Sequence, residues 1–139
     1  MANIFGRQQT DASNTATFAL PASASSSTNQ ATPFDLGAEP YKTENVEVEI
    51  SVPALSTTIA PDTRTVTYIL ETCTATNFST IDQTLYSETF TGAGGAGVAA
   101  QTKIVRIPSN CARYLRGKVT FGASTTTGAA LSATVKILT

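Results

Sequence analysis

Two runs near the end of the chain alternate apolar and polar residues with a period of two, which leaves little choice of local structure. Over residues 111–122, Leu115, Val119 and Phe121 fall on one face, with Tyr114, Arg116, Lys118 and Thr120 on the other. Over residues 129–138, Leu131, Ala133, Val135 and Ile137 oppose Ser132, Thr134 and Lys136. A strand buried on one side requires this pattern, because successive side chains point to opposite faces. Residues 123–128 are all small or polar and supply a reversal. The two runs are therefore expected to form a C-terminal β-hairpin.

The same period recurs upstream. Val46, Val48, Ile50 and Val52 alternate with Asn45, Glu47, Glu49 and Ser51, and the run stops at Pro53. Residues 63–76 predict a long strand with Val66, Tyr68 and Leu70 on one side. Thr65, Thr67, Ile69, Glu71 and Cys73 lie on the other, so both faces are expected to touch something. Residues 84–91 predict another, with Leu85, Ser87 and Thr89 opposite Tyr86 and Phe90. The glycine-rich run 92–97 reads as a hairpin loop leading to a short strand at 102–108. Ala16, Phe18 and Leu20 mark one more strand, ending at Pro21. No stretch of a dozen residues carries the 3.6-residue period of a helix. Seven or eight short strands predict an all-β fold, an antiparallel jelly-roll-like β-sandwich of about eight strands, with an immunoglobulin-like sandwich as second choice.

The first 40 residues differ from the rest. Up to Pro33 the only charged side chains are Arg7 and Asp11, and residues 23–30 are low-complexity and read as a linker. The chain is accordingly divided into an extended low-charge N-terminal arm, 1–40, and a β-sandwich domain, 41–139. Ile4, Phe5, Phe18 and Phe34 are isolated apolar residues in this polar segment. Ile4, Phe5 and Arg7 are candidates for docking the arm on a partner.

Composition narrows the function by exclusion. Hydrophobic residues make up 41% of the 139, an ordinary value, but charged residues only 14%, against a typical quarter. Ser and Thr fill the gap. A surface of hydroxyls and few charges suits a protein lying against other protein, although Thr also follows from strand preference alone. A net charge of −1 gives no field to hold a phosphate backbone, so nucleic acid is not an expected partner. The first residues lack the apolar run of a signal peptide, and no stretch is long enough to cross a bilayer. The protein is thus expected to be made and used without secretion and without a membrane partner. Cys73 and Cys111 are expected as reduced thiols.

The chain has no histidine. That removes His-based nucleophilic triads, the usual zinc sites and the commonest acid–base group. Glu47 and Glu49 share the solvent face of one strand, and no cleft partner is evident for a two-carboxylate mechanism. The 92–97 run lacks the lysine spacing and following helix of a phosphate loop. No catalytic residue, metal or cofactor is expected, and the chain does not read as an enzyme. One basic-aromatic cluster stands out: Arg113, Tyr114, Arg116 and Lys118. Tyr114, Arg116 and Lys118 share a strand face, and Tyr and Arg are the residues most enriched at binding hot spots. The plain alternative is a solvated face whose arginines pair with nearby Glu.

The stretch from Ala112 to Phe121, the turn after it and the run from Leu131 to Val135 resemble small capsid cement proteins of tailed bacteriophages. Their last hairpin carries a similar Arg-Tyr-aliphatic-Arg strand and a turn into an alternating final strand. Pro61-Asp62 ahead of a Thr-rich strand, a Gly/Ala loop and Pro108 just before the Arg-Tyr strand extend the likeness over about residues 53–139. Gly117 stands where a bulkier residue is expected. The resemblance implies a jelly-roll-like fold, a homodimer or homotrimer, and binding across junctions of the major capsid protein on the outer surface of the virion. Arg113, Tyr114 and Arg116 would take the structural or contact role of the family's strand. The shell would be assembled in the host cytoplasm. A ligand- or glycan-binding module of a phage tail or surface structure is the alternative, which the absence of Trp and the presence of only four Tyr disfavour. A secreted pilus-type subunit is a third reading, at odds with the missing signal peptide.

Overall fold

The computed structural model describes residues 3–4, 7–8, 14–22, 25–37, 46–122 and 127–138, the first two pairs as a backbone ladder only. In chain order the strands are β1 (Asn3–Ile4), β2 (Arg7–Gln8), β3 (Thr15–Ala19), β4 (Ser27–Asn29), β5 (Phe34–Asp35) and β6 (Glu47–Val52). Then come β7 (Thr65–Cys73), β8 (Gln83–Thr91), β9 (Gln101–Arg106), β10 (Tyr114–Phe121) and β11 (Ser132–Leu138). Apart from the β1–β2 ladder, nine strands build two antiparallel sheets. The first runs β3-β11-β6-β9, and the second β4-β10-β7-β8 with β5 also on β10.

The pairing has a simple logic. β3 pairs with β11, β4 with β10, β6 with β9 and β7 with β8. The chain is thus one long hairpin with its tip at residues 74–82, folded so that successive pairs alternate between sheets. This is a jelly roll, as the strand count predicts.

The expected C-terminal hairpin is corrected. β10 and β11 lie in opposite sheets and meet face to face across the core. The buried faces are those the period predicts: Leu115, Val119 and Phe121, and Ala133, Val135 and Ile137, are all buried. Alternation fixes which side of a strand is buried, not which strand lies beside it. The 92–97 run is corrected for the same reason, since it carries the chain from the second sheet to the first and is not a hairpin loop. Gly97, at φ 72, there brings the chain against the Leu55 carbonyl, where a Cβ would overlap.

The boundary at about residue 40 also changes. β3 forms one edge of the first sheet, while β4 and β5 line one edge of the second. Phe18, Leu20, Phe34 and Leu36 are buried among the core residues of both sheets. The surface that Phe18 and Phe34 find is therefore the domain's own interior. Residues 27–29, read as linker, are a strand whose short Ser-Thr-Asn run has no apolar period to show it. Gln30 bridges from β4 to β5: its N–H donates to the Gly117 carbonyl at 2.8 Å, and its Oε1 accepts from the Gly117 N–H at 3.1 Å.

Gly117 faces inward, and a Cβ there would overlap Cγ2 of Val135 and lie 3.3 Å from Cε1 of Phe18. The missing side chain is what lets β10 approach β11 and β3. Gly117→Val is expected to cost about 1–3 kcal/mol by overpacking, read as a lower urea midpoint; an unchanged midpoint would contradict this packing.

Tyr68 is 1% exposed and stacks on Phe90 with ring centroids 4.9 Å apart, yet its hydroxyl has no hydrogen-bond partner among the described residues. Burial pushes that hydroxyl's pKa up to about 12. The unfolded chain releases the proton near pH ~10 and the folded one only near pH 12. The corresponding stability is therefore present below pH ~10 and lost as pH rises through that window. Tyr68→Phe is expected to be neutral or stabilising by up to about 1 kcal/mol at pH 7. Thermal melts should also show a shallower decline above pH ~10.

Candidate interaction surface

The basic-aromatic cluster sits at one end of the sandwich, where β10 begins. The β5 end, residues 74–82 and residues 107–113 converge there. Leu36 N–H donates to the Arg113 carbonyl at 2.8 Å, and Ile107 N–H to the Val46 carbonyl at 2.9 Å. Most charges on the β10 side of this end are already matched inside the chain.

Arg113 donates through Nε and Nη2 to the two carboxylate oxygens of Asp35, each at 2.8 Å. Its guanidinium also lies 5.2 Å from the Tyr114 ring centre. The hydrogen bonds to Asp35, then its charge, push the Arg113 pKa up. This two-point grip fixes a long exposed side chain in one orientation.

Arg116 is more enclosed. Its Nε and Nη2 both reach Oε1 of Glu71 at 2.6 Å, and the two side chains are only 13% and 6% exposed. Phe78 covers the guanidinium, its ring centre 4.2 Å away. Phe78 is buried although it adopts φ 50, a backbone state unusual for an aromatic residue. The 74–82 loop is tied down around it. Thr74 N–H donates to Asp82 at 2.7 Å, Asp82 N–H to the Thr72 carbonyl at 3.0 Å, and the Cys73 thiol to the Thr80 carbonyl at 2.9 Å. This explains why both faces of β7 are in contact. Cys73 and Cys111 are both buried.

Tyr114, Arg116 and Lys118 do share the outer face of β10, but Arg116 between them is roofed by the loop. Tyr114 and Lys118 remain half-buried on either side, Lys118 in register with Asn29 and Ile69. The outer rows continue in hydroxyls: Thr120 aligns with Thr67, and Thr67 with Thr89, whose hydroxyls bond at 2.9 Å. Phe5 lies outside the described residues, as do the side chains of Ile4 and Arg7. Asp35, Glu71 and Phe78 are the residues that sequence reasoning missed. They stand 78, 45 and 38 positions from their arginines, too far for any local pattern to show.

A second polar set closes the opposite edge of the second sheet. The Tyr86 hydroxyl donates to Glu88 Oε2 at 2.6 Å, and Lys103 of the first sheet lies 3.5 Å from the same oxygen. The Tyr86 hydrogen bond, aided by Lys103, holds the Glu88 carboxyl below its usual range. Burial, then Glu88, pushes Tyr86 up. Nearby, Gln83, Thr84, Leu85, Arg106, Pro108 and Asn110 line an open groove of about 550 Å³. Among the described residues no helix is long and apolar enough to cross a membrane, and no three His, Cys, Asp or Glu side chains stand as a metal-holding group. Comparison with known proteins finds no family that matches the chain and no curated protein similar to it.

The geometry makes Arg116 a structural residue first. Glu71→Gln is expected to cost about 3 kcal/mol by leaving a buried guanidinium without its counter-charge. The double change Glu71→Leu with Arg116→Met should recover most of that loss in the same chemical melts. Arg113→Ala, at the exposed pair, should leave the melting curve close to that of the unaltered protein.

Proposed function

We propose that this chain is a structural virion protein that binds the outer surface of an assembled phage shell across junctions of the major capsid protein. Its copies would act as a symmetric dimer or trimer, and the shell would be stabilised by linkage. A protein that binds the assembled lattice but not free subunits lowers the free energy of the lattice alone. Repetition over symmetry-related sites turns modest contacts into strong avidity.

The observation that carries this reading is the surface. Its arginines at the head of β10 are held by internal carboxylates, and farther along the same sheet the outer rows are hydroxyl-rich, with Thr120, Thr67 and Thr89 in register. Apart from Lys118, such a face offers a partner hydroxyls and internally matched charge, which cost less to desolvate than unpaired charge. The jelly roll is compatible with this role, though many functions share that fold. The resemblance of residues 112–121 and 131–135 to cement proteins points the same way.

Co-sedimentation with mature phage heads stripped of surface proteins is the direct test. Saturable binding at a fixed ratio to the major capsid protein is expected, with none to unexpanded proheads. Absence of binding to mature heads at low and moderate salt would overturn the proposal. Removal of residues 1–13 leaves every strand of the two sheets intact, and it is expected to weaken binding if Ile4, Phe5 and Arg7 dock.

A further inference from the structure

β8 is the outermost strand of the second sheet, and among the described residues nothing pairs with its far side. In an antiparallel ladder alternate residues direct their N–H and C=O to opposite neighbours. Gly92 N–H donates to the Arg64 carbonyl, and Val66 stands opposite Phe90. Even-numbered residues of β8 therefore bond to β7, while Ser87 and Thr89 turn their backbone groups to the open edge. Exposed edges are blunted by proline, lysine, shortness, bulges or inward-pointing charge. β8 has nine residues and neither proline nor lysine; its bulge is confined to its start at Leu85, and its one charge, the half-exposed Glu88, is matched by Lys103, so the backbone at Ser87 and Thr89 stays unblocked.

At its start the strand is shaped. The register slips between Leu70 and Glu71, so Leu85 has no residue opposite it. That bulge borders the groove formed with Arg106, Pro108 and Asn110. Arg106 is exposed and, unlike Arg113 and Arg116, makes no ion pair among the described residues. Its cross-strand neighbour Glu47 does not reach it. A ladder needing a strand thus ends beside a largely apolar groove with an uncommitted guanidinium at its rim.

We infer that the β8 edge is a strand-addition site for an extended peptide segment of a partner protein, one that carries an aliphatic residue beside a carboxylate. The segment's backbone pairs with Ser87 and Thr89, its aliphatic side chain fills the groove at Leu85 and Pro108, and its carboxylate meets Arg106. Main-chain bonds supply affinity and the groove supplies selection, as in other cases of strand addition. The site belongs to the isolated chain and does not depend on a shell.

The test uses ¹⁵N-labelled full chain and a set of capped heptapeptides of alternating Val and Thr, with one Asp placed at each position in turn. At least one is expected to shift the Ser87 and Thr89 amides together with those of the groove, and its Lys counterpart to bind about tenfold more weakly. Arg106→Gln should erase that preference for Asp. Ser87→Pro removes an outward N–H without touching the β7 ladder, and should abolish binding while the melt stays near that of the unaltered chain. No β8 shift with any peptide at millimolar concentration would overturn the site. Equal binding of Asp and Lys peptides would overturn the role of Arg106. Amide mapping on the unaltered protein decides the matter even if the proline variant does not fold.

Discussion

The two sheets meet where a glycine of β10 faces a valine of β11, and the rest of the sandwich is set by the separation this allows. Gly117 admits Val135 and Phe18 into space that any side chain would occupy. Its backbone is then held by Gln30, which closes the gap between β4 and β5 on the same side of β10. A single position thus joins the packing of the two sheets to the pairing of the N-terminal strands. Without that close approach Phe18 would lose its pocket, and β3, an edge strand, would keep its ladder with β11 but lose that packing. The glycine that departs from the expected cement-protein pattern is for this reason the residue on which the interior depends.

The second organising feature is the internal use of charge. With only 14% charged residues, the chain spends Asp35 and Glu71 on the two arginines at the head of β10, and Glu88 on Lys103 between the sheets. The Glu71–Arg116 pair is screened from water by Phe78, whereas the Arg113–Asp35 pair is open to it. Burial, not the number of contacts, therefore sets the energetics: loss of a partner is severe in the first case and slight in the second. Among the described residues, what faces outward includes hydroxyls, two exposed isoleucines (Ile81 and Ile104), Lys136 and the guanidinium of Arg106.

Much of the fold was legible because a half-buried strand writes its period into the chain. Val46 to Val52, Val66 to Leu70 and Leu115 to Phe121 declared their buried faces, and the strand count led to a jelly roll. Pairing was not legible, since the same alternation serves a hairpin and a strand facing across the core. Edge strands were the hardest: Ser27–Asn29 has no apolar residue to announce it. Among the site residues, Arg113, Tyr114, Arg116 and Lys118 were visible as a cluster. Their condition was not, because Asp35, Glu71 and the Phe78 roof arrive from distant parts of the chain. Arg106 carries no local signature, being one more charge at the end of a short strand; only the topology sets it beside an open edge.

Hydrogen exchange of the protein alone and bound to mature phage heads, read by mass spectrometry, joins these points in one measurement. The expected result is slowed exchange on binding over the stretches that carry the hydroxyl rows, around Thr67, Thr89 and Thr120, with little change over the Glu71–Arg116 pair, which is already enclosed. Exchange that is the same with and without heads would contradict a role on the shell. Protection centred on residues 113–118, with β8 unchanged, would place the contact on the paired arginines and contradict their assignment as structural.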